Sequence, residues 1–317
     1  MTNLKHRSFI CGIKGHKLLN SEIVFLKKYK PWGVILFSRN IKSIEQTQSL
    51  TKSIKNIFNN NYYPIIIDEE GGRVSRLNKF IDSSIFSAKY FGDLFSKNRK
   101  KFLIYYDVYI KQISYLLRLL GININTVPVL DLRRKSAHKI IGDRSYSNNI
   151  NVISKISDIC ISSFHNNRIA TVIKHIPGHG LSNVDSHKKL PIIDKNIKYL
   201  LNKDFKLFKN KNSLFAMTGH LLFNKIDNEN VSTHSKKIIK VIRKNIGFKN
   251  ILITDDLSMK ALKFSIEGNT RKSFEAGCNL ALHCNGNLKE MIKVAENSPK
   301  INKFILKKTS HFFNIIS

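Results

Sequence analysis

The residues able to do chemistry fall into three short segments. The first is Asp68-Glu-Glu-Gly-Gly-Arg-Val-Ser-Arg76. Two adjacent glycines let the backbone turn tightly or approach a ligand closely. Carboxylate and guanidinium together can hold a polyhydroxyl ligand through charge-assisted hydrogen bonds. The second is Lys174-His-Ile-Pro-Gly-His-Gly180, followed by Asp185-Ser-His187, which puts three histidines and an aspartate within thirteen residues. Pro177, Gly178 and Gly180 predict an irregular loop. In a turn, the Asp185 carboxylate can accept the Nδ1 proton of His187, fix its tautomer and raise its basicity. An imidazole so poised gives and takes a proton near neutral pH. His175, His179, Asp185 and His187 are also plausible metal ligands, and some of these histidines can serve simply as buried anchors of the loop. The third segment is Ile251-Leu-Ile-Thr-Asp255-Asp256-Leu-Ser-Met259. Here an apolar run delivers two neighbouring carboxylates, of which one can face a cleft while the other turns into the wall or caps the next helix. A carboxylate facing a sugar ring is the usual nucleophile of a retaining glycosidase.

The elements that must position these groups are legible as well. Short apolar runs rich in Ile and Val span Phe9–Ile13, Gly33–Phe37, Pro64–Ile67, Ile122–Leu130, Ile169–Ile173, Ser213–Met217, Asn250–Ile253 and Cys278–Leu282. Near-continuous apolar strands are what a parallel sheet covered on both faces requires. Segments with helical periodicity lie between them, at Ser43–Phe58, Arg99–Leu120, Ile150–Asn166 and Asn196–Lys209. Eight strands alternating with helices predict an α/β chain folded as one (β/α)₈ barrel domain over residues 1–317, with a doubly wound open sheet as the runner-up. The runs end in Asp68-Glu69-Glu70, Asp131, Lys174-His175, His220 and Asp255-Asp256. An acidic group at a strand end can be a helix N-cap. Five such ends of one polarity are more economically explained by a shared cleft at the carboxyl ends of the strands.

Composition narrows the function. The 317 residues are 42% hydrophobic and 24% charged, enough for a sizeable core, so a disordered chain is excluded. Lys plus Arg number 54 against 22 Asp plus Glu, a net charge of +32. The chain also holds 44 Ile, 42 Lys and 33 Asn but only 12 Arg. These three residues share A/T-rich codons, so drift in coding composition explains the charge more simply than a polyanionic partner does. The lysines are scattered rather than gathered on one arm with interleaved aromatics, and no nucleic-acid partner is expected. The densest stretch, Lys236 to Lys244, places Lys and Ile at helical spacing and reads as the wet face of an amphipathic helix. The N-terminal segment lacks the long apolar region of a signal peptide, and no run of about 18 apolar residues marks a membrane span. Four cysteines without a CxxC pair suggest neither a disulfide framework nor a zinc knuckle. The expectation is a soluble, cytoplasmic, monomeric protein without membrane partner, metal or cofactor.

Taken together the motifs resemble glycoside hydrolase family 3, and within it the single-domain β-N-acetylhexosaminidases of bacterial peptidoglycan recycling. The resemblance runs through Trp32-Gly-Val-Ile-Leu-Phe-Ser-Arg-Asn40, DEEGGRVSR, Pro128-Val-Leu-Asp-Leu132, Ile141-Gly-Asp-Arg-Ser-Tyr146, KHIPGHG, DSH, Met217-Thr-Gly-His220, TDDLSM and Ala276-Gly-Cys-Asn279. It implies a (β/α)₈ barrel and a double-displacement mechanism on a saccharide or muropeptide substrate. By match to TDDLSM, Asp255 would be the nucleophile. By match to DSH, His187 would be the general acid/base and Asp185 its dyad partner. By match to the remaining motifs, Asp68, Arg76, Arg144, Lys174 and His175 would bind N-acetylglucosamine. The chain departs from the family at Glu69, where Gln is common, and at Asn279, where Asp is common. Three other activities remain open from the residues alone: a phosphorylase using the same site, a metal-dependent hydrolase built on the histidines, and a basic binding protein.

Overall fold

The structure is a computed structural model that describes residues 3–134, 141–182, 184–186 and 189–317. The described residues form β1 Arg7–Gly12, β2 Pro31–Leu36, β3 Ile65–Ile67, β4 Ile124–Asn125, β5 Ala170–Ile176, β6 Ile192–Ile193, β7 Phe215–Thr218, β8 Leu222–Phe223, β9 Ile251–Asp256 and β10 Leu280–His283, of which all but the short β6 and β8 fall on the eight expected runs. Eight of them close into a parallel barrel in the order β1-β10-β9-β7-β5-β4-β3-β2, while β6 and β8 pair in a small sheet of their own. Closure excludes the open doubly wound sheet.

The helices are α1 Asn20–Tyr29, α2 Ile44–Ile57, α3 Ala88–Lys97, α4 Arg99–Leu119, α5 Ile150–Asn166, α6 Ile197–Asn202, α7 Lys236–Val241, α8 Ile266–Ala276, α9 Leu288–Glu296 and α10 Lys303–Ile316. Side-chain caps start many of them: Ser43 Oγ accepts from the Gln46 N–H of α2, and Asn302 Oδ1 accepts from the Ile305 N–H of α10. In the lysine-rich stretch, Ile238, Ile239, Ile242 and Ile246 are buried while Lys236, Lys237 and Lys240 are exposed, as an amphipathic helix demands.

Two cores result from the period-2 alternation of the strands. Ile10, Ile66, Ile124, Val172, Ile251, Ile253 and Leu280 point inward and fill the barrel. Phe9, Cys11, Ile65, Ile67, Ile173, Leu252 and Ala281 point outward against the helices. At the amino ends of the strands, α10 closes the interior. Its Ile305, Phe312 and Ile316 join the inner core, and Trp32 Nε1 donates to Thr309 Oγ1 at 2.9 Å. Ile35, Met217 and Leu282 belong to the same core and also floor a cavity at the opposite end. Strand β4 is shorter than its apolar run because Pro128 has no N–H for the ladder; pairing resumes beyond it, where the Leu130 N–H donates to Lys174 O at 2.7 Å. Among the described residues no helix is long and apolar enough to cross a membrane.

Candidate active site

The same alternation decides which polar groups enter the barrel mouth. Ile66 points in and Ile67 out, so Asp68 points in and Glu69 out. On β5 Val172 points in, and Lys174 follows it. On β9 Ile251 and Ile253 point in, and Asp255 follows them. These three side chains converge on a cavity of about 280 Å³ whose walls include Phe37, Arg73, Arg76, Arg144, His175, His179, Ser186 and Asp256.

Around Lys174 the charges interlock. Its Nζ binds Asp68 Oδ1 and lies 2.6 Å from Glu70 Oε1. Thr126 Oγ1 donates to Asp68 Oδ1 at 2.6 Å, and Arg76 Nη2 donates to Asp68 Oδ2 at 3.1 Å. Arg144, carried on the turn Gly142–Arg144, grips Glu70 with Nε at 2.7 Å and Nη2 at 2.8 Å. Burial opposes ionisation of Asp68, yet the Lys174, Arg76 and Arg144 charges hold it well below the usual carboxylate range. Burial likewise opposes ionisation of Glu70, and Arg144 with Lys174 prevails.

The paired glycines make this turn possible. Gly71 has φ +79° and Gly72 φ +57°, a region that side chains rarely adopt. A Cβ on Gly71 would also stand 2.3 Å from Tyr109 Oη. Glu69 faces away from the cavity, where its Oε2 accepts from the backbone N–H groups of Arg76 and Leu77 and from Ser75 Oγ. Burial pushes its carboxyl up to about 7, and among the described residues its Oε1 has no hydrogen-bond partner. Glu69 therefore adds no charged group to the cavity wall. Asn279 is likewise remote in role, accepting from the Leu252 N–H and from Arg243 Nη2, both at 2.8 Å.

The histidines divide by function. His175 Nδ1 donates to Asp131 Oδ2 at 2.6 Å. His179 Nε2 meets Ser186 Oγ at 3.2 Å, and burial lowers its pKa to about 4, so it is neutral at physiological pH. The fully buried His220 donates from Nε2 to the Asp256 carbonyl at 3.0 Å and takes Thr233 Oγ1–H on Nδ1 at 2.7 Å, bracing the end of β9. Burial lowers its pKa against the pull of the nearby Asp255 carboxylate. Of the two β9 carboxylates, Asp255 Oδ1 accepts the Asp256 N–H at 2.8 Å. Asp256 accepts from the N–H groups of Ser258 and Cys284, which ties its carboxylate to the strand-end wall. Asp185 is half-buried beside Ser186, whose side chain reaches the cavity. His187 lies outside the described residues. Among the described residues, no three His, Cys, Asp or Glu side chains group as metal ligands.

The structure thus brings Asp68, Arg76, Arg144, Lys174, His175 and Asp255 to one cavity. The sequence places Glu70 and Asp131 only among the polar strand ends of a shared cleft and gives Ser186 no role, although each stands inside a quoted motif. Their partners are 74, 44 and 7 residues away, and the two long separations leave no spacing signal to read.

The comparison with known sequences is decisive at this point, because residues 12–311 match the glycosyl hydrolase family 3 N-terminal domain. The chain belongs to glycosyl hydrolase family 3. It is a glycoside hydrolase whose site lies, as in other barrels, at the carboxyl ends of the strands. It is 33% identical to a β-hexosaminidase of Haemophilus ducreyi over 288 residues, covering 87% of this chain and 80% of that one. It is 28% identical to the β-hexosaminidase of Haemophilus influenzae over 305 residues, covering 92% and 85%. Among solved structures, NagZ from Neisseria gonorrhoeae in complex with N-trifluoroacetyl-D-glucosamine superposes with a TM-score of 0.84 at 25% identity, covering 98% of this chain and 91% of that one. A family 3 β-N-acetylglucosaminidase from Paenibacillus sp. shares the fold with a TM-score of 0.86 at 23% identity, and this glycoside hydrolase spans 62% of its length.

Proposed function

We propose that this glycoside hydrolase is a retaining exo-β-N-acetylglucosaminidase that removes terminal N-acetylglucosamine from peptidoglycan fragments ending in anhydro-N-acetylmuramic acid. The observation that carries the reading is Asp255, delivered by β9 into the cavity that Asp68, Arg76, Arg144, Lys174 and His175 also line. A carboxylate among hydrogen-bonding groups of both signs is what a glycosyl-enzyme mechanism needs beside a sugar ring. The cavity of about 280 Å³ lies just below the roughly 300–1,000 Å³ of drug-sized pockets, which suits one monosaccharide. The relatives named β-hexosaminidase, and the N-trifluoroacetyl-D-glucosamine in the Neisseria NagZ complex, support N-acetylglucosamine as the sugar.

In this mechanism Asp255 attacks the anomeric carbon and forms a covalent glycosyl-enzyme. His187, with Asp185, protonates the leaving oxygen and then takes a proton from the water that hydrolyses the intermediate. The acid is a cation that loses its charge when it acts, so Asp185 would keep it protonated long enough to do so. Asp68, Arg76, Arg144, Lys174 and His175 bind the hydroxyl and acetamido groups. The cysteines stand unpaired, which suits a reducing cytoplasm.

The test is direct. Purified protein releases the aryl alcohol from an aryl N-acetyl-β-glucosaminide, and Asp255→Ala lowers that rate by several orders of magnitude. Undiminished turnover in the variant removes Asp255 from the chemistry.

A further inference from the structure

Asp131 makes no contact with solvent to speak of, being 1% exposed, and both its oxygens are spent on one neighbouring segment. Oδ2 accepts His175 Nδ1–H at 2.6 Å. Oδ1 accepts the backbone N–H of His179 at 2.6 Å and that of His175 at 3.4 Å. An imidazole whose Nδ1 carries a proton held by a carboxylate can offer only Nε2 to a ligand. His175 lines the cavity beside Asp68, Lys174 and Asp255. The His179 backbone that Asp131 pins belongs to the residue whose Nε2 meets Ser186 Oγ at 3.2 Å, and Ser186 lies between Asp185 and His187 in the chain.

We infer that Asp131 is a positioning residue of the saccharide site: it selects the His175 tautomer, presents Nε2 to the sugar, and through His179 ties the same segment to the stretch that carries the proposed acid/base. The assignment rests on the β-N-acetylglucosaminidase reading for the identity of the ligand, and on geometry alone for the tautomer. Burial would push the Asp131 carboxyl up, but the contacts of His175 and His179 outweigh it, and the carboxyl stays below its ordinary range.

An isosteric substitution separates this role from a merely structural one. Asparagine at 131 keeps one acceptor oxygen. If that oxygen serves the His179 N–H, the amide NH₂ faces His175, and the imidazole proton must move from Nδ1 to Nε2. The experiment uses the full chain labelled with ¹⁵N-histidine, with the His175 signals assigned by their absence in His175→Gln. The parent shows a protonated Nδ1, and Asp131→Asn shows a protonated Nε2. With an aryl N-acetyl-β-glucosaminide, Asp131→Asn raises KM about tenfold while kcat stays within about threefold, the pattern of a lost ground-state contact. The doubly substituted protein is no worse than His175→Gln, because both changes remove one interaction. Three results overturn the inference: a parent His175 protonated on Nε2 alone, an Asp131→Asn protein that keeps the parent tautomer with unchanged KM, or losses that add in full in the double variant. The first needs no variant at position 131 to fold. A parent that turns over no glucosaminide sinks the substrate reading, and the spectra still decide the tautomer.

Discussion

The guanidinium of Arg144 and the carboxylate of Glu70 form a two-point pair, with Nε and Nη2 on opposite oxygens at 2.7 and 2.8 Å. Their side chains are only 11% and 5% exposed. Paired contacts of this kind fix a plane as well as a position, which a lysine ammonium cannot do. Arg144→Lys is therefore expected to raise KM about tenfold and to lower stability by about 1–3 kcal/mol, since one buried oxygen loses its donor. Steady-state kinetics and urea unfolding check the two parts separately. A variant with parental KM would show that the plane of this guanidinium is irrelevant to the sugar.

Glu69 gives stability a pH dependence with a definite sign. Its folded-state carboxyl sits near 7, above the 4.5 of an unperturbed glutamate, because of burial. The unfolded chain thus releases this proton first, and the group's contribution to stability falls as pH rises from about 4.5 to 7. Above that window the loss is complete, up to about 3 kcal/mol if the shift is fully expressed. Glu69→Gln should be more stable than the parent at pH 8 and nearly equal to it at pH 4.5. Thermal unfolding across that range reads the difference, and parallel curves for the two proteins would refute it.

Gly71 should tolerate no side chain. A Cβ there would meet Tyr109 Oη at 2.3 Å and Phe86 O at 2.5 Å, on a backbone with φ +79°. Gly71→Ala is expected to cost about 1–3 kcal/mol for the conformation alone. It also displaces Asp68 and Glu70, so binding weakens with stability. Chemical denaturation measures the loss of stability and isothermal titration with N-acetylglucosamine the loss of binding.

The proposed dyad predicts a change in the pH profile. If His187 is the acid, activity falls on the alkaline side as its imidazole deprotonates, with an apparent pKa that belongs to the pair. Asp185→Ala should move that limb to lower pH or flatten it. An alkaline limb unmoved by the substitution would exclude Asp185 as the partner.

Much of this architecture is visible in the amino-acid order, for identifiable reasons. Barrel strands buried on both faces must be apolar almost throughout, so runs such as Pro64–Ile67 and Asn250–Ile253 announce themselves. Alternation then carries Asp68 and Asp255 inward without further information. Helix α3 is harder to see. Its interior Gly92 reads as a breaker, yet a Cβ there would lie 1.6 Å from Tyr146 O, so the residue serves a close contact that only the fold reveals. Asp131 meets His175, and Glu70 meets Arg144, because β4 pairs with β5 and β3 with β4, across 44 and 74 residues of chain. Strand pairing makes them neighbours, and no local spacing announces it.

Helix α10 has a consequence for traffic through the molecule. With Phe312 and Trp32 packed at one end of the filled barrel and Ile35, Met217 and Leu282 paving the other, no passage runs through the molecule. A saccharide in the cavity therefore approaches from the side of the strands' carboxyl ends. Whatever leaves must return by the same mouth, so entry and exit compete for one opening.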